Sequence, residues 1–305
     1  MLLGGRPLAE HLGAHWQLAL SWCGTWRQRV RDYLTDALEH LVLFALAYTV
    51  ACLILYALIV RWRALRFRRD VRPSRRVLFV IAHPDDETMF FGPTILRFTQ
   101  DPACSVYLLC LSTGANYGMG KVRKKELYDA CKVLGIRDEC ITVQSHTKLP
   151  DAMDTRWPAE IVAQIVSHHL QSLGIDTLIT FDKHGVSRHL NHCSIYYAIA
   201  LLSTANKLPK DCQVYVLETI NVIRKYWKVF DIPICYILSS VRFITNASDR
   251  RLLYKAMTQH KSQFVWFRRL YLVFSRYQLI NTLQRMDASD IQLDLDVDDI
   301  QLADD

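Results

Sequence analysis

Apolar positions along this chain fall into three patterns, the first a single uninterrupted run. Residues 41–60, LVLFALAYTVACLILYALIV, hold neither charge nor proline. Twenty residues at a rise of about 1.5 Å each reach about 30 Å, the thickness of a bilayer's hydrocarbon layer. The run predicts a transmembrane helix. A buried core helix is the competing reading, but such helices seldom run this long without a polar face. A cleaved signal sequence is not expected, because the run starts forty residues in, exceeds a signal core and lacks a small-residue cleavage site.

From Arg76 the pattern changes to short apolar runs. RVLFVIA (76–82), SVYLLCLS (105–112), CITVQ (140–144), DTLITF (176–181) and VYVLE (214–218) are continuous rather than alternating, as in strands covered on both faces. Amphipathic stretches lie between them, such as RKKELYDACKVLG (123–135), with Gly135 as a helix stop. Strand–helix alternation predicts an α/β fold, a mostly parallel Rossmann-like sheet with helices on both faces, preceded by the transmembrane helix.

The third pattern occupies residues 259–285, dense in aromatics (Phe264, Trp266, Phe267, Tyr271, Phe274, Tyr277) and arginine (Arg268, Arg269, Arg276). Helical spacing places a wide apolar stripe beside a basic face. Two readings stand open, a helix lying on a membrane surface and a terminal helix packed on the core. The last stretch, 287–305, carries eight aspartates and no cation, the composition of a solvated, disordered tail. The expected division is an N-terminal extension (1–40), the transmembrane helix (41–60), a basic linker (61–75), the main domain (76–286) and the acidic tail.

Charge orients this arrangement. Residues 61–76 hold eight arginines, against three (Arg27, Arg29, Arg31) in 27–40. The positive-inside rule then places everything after residue 60 in the cytosol and the first forty residues across the membrane, on the lumenal side. The nine cysteines agree: scattered, odd in number and without a C-x-x-C pair, they read as reduced thiols and argue against a cysteine zinc finger. The net charge of +7 fits nucleic acid, anionic lipid or a phosphorylated substrate. Nucleic acid rests on that charge alone and is not expected as a partner beside a membrane helix. Nucleotide binding falls because no glycine-rich fingerprint follows the first strand.

Candidate chemistry sits after two of the strands. The first runs into His83-Pro84-Asp85-Asp86-Glu87, and the fourth into Asp182 and then Lys183-His184-Gly185-Val186-Ser187-Arg188-His189-Leu190-Asn191-His192. Parallel strands in one sheet would deliver both clusters to the same edge, where open α/β folds place their sites. Imidazole nitrogen with carboxylate oxygen and no sulfur suits catalytic zinc, three protein ligands leaving a position for water. The pair Asp85-Asp86 offers one ligand and one base. Read singly, the His-Pro-Asp-Asp turn is equally a helix cap, and H-x-x-H is often incidental. Together, at the ends of two strands, they point to a metal site.

IAHPDDETMFFGPT (81–94) and TFDKHGVSRHLNH (180–192) resemble the two signatures of LmbE-like de-N-acetylases. STGANYG (112–118), RKKEL (123–127) and SQFVWFRRLYLVFSRY (262–277) resemble the branch that acts on N-acetylglucosaminyl-phosphatidylinositol. The likeness covers roughly residues 76–283. It implies an LmbE-like fold and zinc-dependent removal of acetate from that membrane glycolipid, in the endoplasmic reticulum membrane. It further implies His83, Asp86 and His192 as zinc ligands, Asp85 as general base and His189 as the partner of the oxyanion or leaving amine. Arg123 matches an arginine that contacts substrate in such enzymes, and Asp182 is set beside it as a second candidate contact. Lys183 and His184 stand where smaller residues are expected, and His184 is either a solvent-facing histidine or a competitor for metal. A deacetylase of another N-acetylglucosamine conjugate, and an inactive membrane scaffold, are the competing readings.

Overall fold

The structure, a computed structural model, describes residues 8–62, 74–115 and 118–286. The acidic tail and most of the basic linker therefore lie outside the described residues. The chain divides into two compact units, Met1–Ile54 and Leu55–Asp305.

The first unit holds most of helix α1 (Leu8–Arg61). The part of the extension for which the pattern predicts no element is thus helical from Leu8 onward and continuous with the apolar run. Between Ala19 and Arg61 the helix contains an 18-residue window of mean hydropathy 2.5, long and apolar enough to cross a membrane. Leu43, Phe44, Leu46, Leu53 and Ile54 are exposed, as lipid-facing side chains are.

The second unit is built on a seven-stranded sheet of order β3-β2-β1-β4-β5-β7-β6. Its strands are β1 (Arg76–Ile81), β2 (Ser105–Cys110), β3 (Ile141–Val143), β4 (Thr177–Phe181), β5 (Gln213–Leu217), β6 (Val241–Ile244) and β7 (Ile280–Arg285). The five runs picked out by sequence are β1 to β5, all parallel. Strand β7 is antiparallel to both of its neighbours, β5 and β6. Helices α3 (Gly92–Thr99), α4 (Gly120–Leu134), α5 (Ala159–Ser172), α7 (Leu190–Thr204) and α10 (Ala247–Met257) cover the sheet. Helix α4 stops at Gly135, whose φ of +87° is the left-handed conformation that ends a helix most cheaply at glycine.

The reading of 259–285 as one helix is corrected. Only Trp266–Phe274 is α-helical (α11), Arg276–Gln278 is a 3-10 turn, and Ile280–Arg285 is β7. Ser275, in an extended conformation, breaks the run and caps the turn by accepting from the Tyr277 N–H at 3.2 Å. The strand is then fixed by pairing on both sides, which a pattern of side chains along one segment does not display.

Helices α8 (Val222–Trp227) and α9 (Ile232–Leu238) follow β5. The last turns of α1 belong to this unit: Ile59 is buried against Ile232, Cys235, Ile244, Leu279 and Ile280, and the Tyr56 hydroxyl donates to the Thr245 carbonyl at 3.2 Å.

Candidate active site

The strand order reverses between β1 and β4, and the crevice at such a reversal is where open α/β sheets bind ligands. These two strands pair directly, from Val77↔Thr177 to Phe79↔Ile179, so the loops that follow them emerge side by side.

After β1 the chain turns through His83, Pro84 and Asp85 into the short helix α2 (Asp86–Met89). The Asp86 carboxylate folds back, its Oδ2 accepting from the N–H groups of His83 (2.8 Å) and Ala82 (3.1 Å). Asp85 has φ +108°, a backbone region that favours glycine and costs another residue about 1–3 kcal/mol. Glu87 holds it there by accepting from its N–H at 3.0 Å. Glu87 is itself fixed by Thr88 Oγ1 and by His260 Nε2, each at 2.6 Å, wholly out of solvent.

After β4, Asp182 accepts from the N–H groups of His184 (3.1 Å) and Gly185 (3.0 Å), and from the Thr219 N–H and hydroxyl at 2.6 Å each. The turn continues as α6 (Gly185–Arg188), with Val186 at φ +62°. A β-branched residue there is strained, and the Thr219 hydroxyl secures it by accepting from the Val186 N–H at 2.8 Å. Gly185 is required twice over: its φ is +57°, and a Cβ would sit 2.7 Å from that of His192. Its carbonyl lies 3.0 Å from His192 Nδ1. Asp182 thus acts on the site through Gly185. It stands outside the histidine cluster, and His184 is exposed.

The two loops bring His83, Asp86 and His192 together, with one ligand atom from each lying within 4.8 Å of the others. The surrounding bonds fix which nitrogen of each ring carries the proton. A carbonyl only accepts, so His192 Nδ1 donates to Gly185 and Nε2 presents a lone pair. Among the described residues that Nε2 is buried without a hydrogen-bond partner, 3.4 Å from Asp86 Oδ1. His83 Nε2 faces Asn191 Oδ1 at 3.0 Å and Asp151 Oδ1 at 3.2 Å. The Asn191 amide is oriented by the Ala152 N–H, which donates to its Oδ1, and by the Thr155 carbonyl, which accepts from its Nδ2. His83 Nε2 is therefore the donor, and Nδ1 turns its lone pair toward Asp86, 3.8 Å away.

Two imidazole lone pairs and a carboxylate, one of them orphaned in a buried site, fit a divalent cation. Phe181 stacks on the His192 ring at 4.0 Å and closes one side. A second grouping, His83, Asp151 and His189, shares His83. It fits a cation less well, because Arg123 Nη1 already neutralises Asp151 at 2.9 Å.

Electrostatics follow the same division. Burial would raise the Asp86 pKa, but the neighbouring imidazoles of His192 and His83 and the His83 N–H hold it well below the carboxylate range. Burial opposes a charge on His192, yet Asp86 outweighs it and raises the pKa. A metal ion would compete with that proton for the same position. His83 is pushed down by burial, Asp86 offsetting only part of it. The half-buried His189 is lowered to about 4 by desolvation and by the other two imidazoles, so it is neutral at physiological pH. Its Nδ1 accepts from the Asn191 N–H at 3.3 Å, which leaves a proton on Nε2.

Asp85 stands beside this cluster with its pKa raised by burial, against the opposing pull of Arg268 and Arg123. Arg268 Nη1 donates to Asp85 Oδ2 and to Gln263 Oε1 at 3.1 Å. Arg123 is buried, bonded to the carbonyls of Pro84 (2.9 Å) and Gly114 (3.2 Å) and to Asp151. Gly114, with φ +65°, lets it pass, since a Cβ there would meet the guanidinium carbon at 2.5 Å.

Three contributors escaped the sequence reading. Asp151 follows β3, and an aspartate in a loop at the carboxyl end of a parallel strand was its one available signal. Asn191 lies between His189 and His192 in the run TFDKHGVSRHLNH, which gives it no role. Arg268 was visible only as part of a basic face.

A family model described as PIG-L, GlcNAc-PI de-N-acetylase, matches residues 78–202. The chain is 41% identical over 209 residues to the N-acetylglucosaminyl-phosphatidylinositol de-N-acetylase of Bos taurus, covering 68% of this chain and 82% of the bovine protein. A probable enzyme of the same description from Dictyostelium discoideum is 37% identical over 240 residues, covering 69% of this chain and 93% of that protein. Among solved structures, the N,N'-diacetylchitobiose deacetylase of Pyrococcus horikoshii superposes with a TM-score of 0.51 at 16% identity, covering 71% of this chain and 85% of that one. At that identity the likeness concerns the fold, and it agrees with the mostly parallel sheet.

Proposed function

The chain belongs to the GlcNAc-PI de-N-acetylase family, and from that premise we propose that it hydrolyses the acetamide of N-acetylglucosaminyl-phosphatidylinositol. The products are acetate and glucosaminyl-phosphatidylinositol, the deacetylation step of GPI-anchor biosynthesis. The observation that carries this reading is the buried trio of His83, Asp86 and His192, with the His192 Nε2 lone pair unpartnered and Asp85 alongside.

These three residues would hold zinc, for which two nitrogens and one oxygen are a suitable catalytic donor set. A divalent ion bound there lowers the pKa of water and polarises an amide carbonyl. Asp85 takes the proton of the attacking water. Its raised pKa lets it keep that proton and return it to the nitrogen as the C–N bond breaks. Neutral His189 offers its Nε2–H to the oxygen on which negative charge develops. Arg123 braces the loop through Pro84 and holds Asp151 where Asp151 orients His83. Asp182 shapes the loop that presents His192, and the sugar is the second group it would meet at that edge.

The apolar helix and the arginines after it support a single-pass anchor in the endoplasmic reticulum membrane with the catalytic unit on the cytosolic side. In that arrangement the sugar headgroup reaches the site while the lipid remains in the leaflet.

Purified full-length protein incubated with the acetylated glycolipid should release acetate and a free amine in equal amounts. A strong chelator should stop the release, and zinc should restore it. Turnover indifferent to chelation would end the metal assignment. Acetate released only from water-soluble N-acetylglucosamine conjugates would move the substrate elsewhere.

A further inference from the structure

The large exposed apolar side chains of the second unit concentrate on consecutive stretches: Val222, Ile223, Tyr226 and Trp227 on α8, Ile237 and Leu238 on α9, and six between Val265 and Phe274 around α11. A soluble surface rarely collects so many, and a gathering of this size marks a binding face. Helices α8 and α11 do not merely lie near one another. Between them is a cleft of about 480 Å³ walled by Tyr226, Phe267, Leu270, Tyr271 and Phe274.

Two residues join this cleft to the catalytic loop. Its inner wall includes Met89, the last residue of the short helix that begins at Asp86. Its polar end is Arg268, whose guanidinium is bonded to Asp85. The Tyr271 hydroxyl donates to the Met89 carbonyl at 3.2 Å and fixes the two walls together. An apolar trough therefore runs up to the proposed base and ends in a cation that no carboxylate other than Asp85 pairs within the described residues.

We propose that this cleft receives an acyl chain of the glycolipid substrate. The inference rests on the lipid substrate argued above and adds where its apolar part sits. The trough is lined by aromatic and aliphatic side chains, which suit a hydrocarbon chain, and Arg268 is its one charged group. Arg268, at the junction between trough and carboxylate, stands where the anionic phosphate that links chain and sugar would pass, and contact with it would draw the guanidinium off Asp85. Continuity also favours the substrate. The cleft opens on the same loop that holds the reacting groups, and a chain lying in it points its headgroup toward them. Lys228, from the turn between α8 and α9, donates to the Val273 carbonyl and locks α11 to the segment on which the last turns of α1 are packed. The cleft is thus tied to the segment that packs on the last turns of α1.

Each methylene buried is worth about fourfold in affinity, so three in the cleft contribute roughly fiftyfold. The test uses the full chain in nanodiscs and two substrates. One is N-acetylglucosaminyl-phosphatidylinositol with two hexanoyl chains, kept below its micelle concentration; the other is the same headgroup with both chains removed. The intact protein should show a KM for the short-chain lipid on the order of fiftyfold below that for the deacylated form. Phe267→Ser with Leu270→Ser should reduce this preference to a few-fold, by raising KM for the lipid while kcat stays. Partition into the disc is common to both proteins and cancels. Both residues are about half exposed (54% and 49%), so the variant keeps its core; Leu270→Trp, which fills the trough instead of opening it, should give the same KM effect. An unchanged preference, or equal losses on both substrates, would overturn the proposal, the latter assigning this face to docking on the bilayer. No turnover of either substrate by the intact protein would overturn the functional reading itself.

Discussion

His192 and His260 are both buried histidines facing a carboxylate on the first turn of α2, and they have been put to opposite uses. His260 meets Glu87 at 2.6 Å with both side chains out of solvent, and Glu87 is further tied to Thr88 and to the Asp85 backbone. Nothing can enter. His192 meets Asp86 at 3.4 Å, and its Nε2 has no well-formed hydrogen bond among the described residues. A buried pair drawn tight is a strut; one held slightly apart, with its lone pairs converging, is a seat for an ion. Adjacent residues of one turn thus divide support from chemistry, because successive side chains on a helix leave in directions about 100° apart.

The largest expected effect removes the seat. His192→Ala should lose bound metal and lower turnover on the order of a thousandfold or more, while His260→Ala should keep its metal. Metal content of the two purified variants decides it, and equal zinc in both would erase the distinction. Next is the strut. His260→Asn strands the Glu87 carboxylate in the core and should cost about 3–5 kcal/mol, read as a fall of roughly 10 °C in the thermal midpoint at pH 6. This cost should depend on pH. Burial opposes a charge on His260, but Glu87 dominates and raises its folded pKa. Stabilisation by the pair is then complete below about pH 6.5, the value in the unfolded chain, and is lost as pH rises through the folded value. The gap between wild type and variant should therefore narrow as pH rises through that folded value; a gap that widens with pH would contradict the raised pKa. The smallest effect comes from Gly185→Ala, which displaces the carbonyl that holds the His192 tautomer. Metal affinity should weaken by about 10–100-fold, measured by competition with a chromogenic chelator.

Legibility in the sequence follows the same physical divide. Strands β1, β4 and β5 are buried almost throughout, with β2 and the edge strand β3 partly so; all five are written as continuous apolar runs, and the two motifs at the ends of β1 and β4 stood out because their chemistry is local. The family resemblance drawn from those motifs is matched by the comparisons. Strands β6 and β7 were missed. INTLQR looks like the end of a helix until its partners are known, and those partners lie some forty and seventy residues away in the chain. Asp151 and Arg268 were missed for a related reason. Each reaches the site through a contact between distant segments, His83 to Asp151 and Asp85 to Arg268, that no spacing within a motif records.

The position of β7 sets an order of events. It is the last strand among the described residues, yet it lies between β5 and β6. Asn281 on it accepts from the Thr94 N–H and hydroxyl and donates to the Phe90 carbonyl, while Gln278 just before it donates to the carbonyls of Thr88 and Met89. During synthesis the edge of β5 therefore stays open, and the loop that starts the domain stays unbuttressed, until residues 278–285 have been made. A nascent chain that stalls before them presents a bare strand edge to any neighbouring polypeptide. Competence for catalysis thus arrives only with the closing stretch of the sheet, when the loop after β1 is clasped by β7.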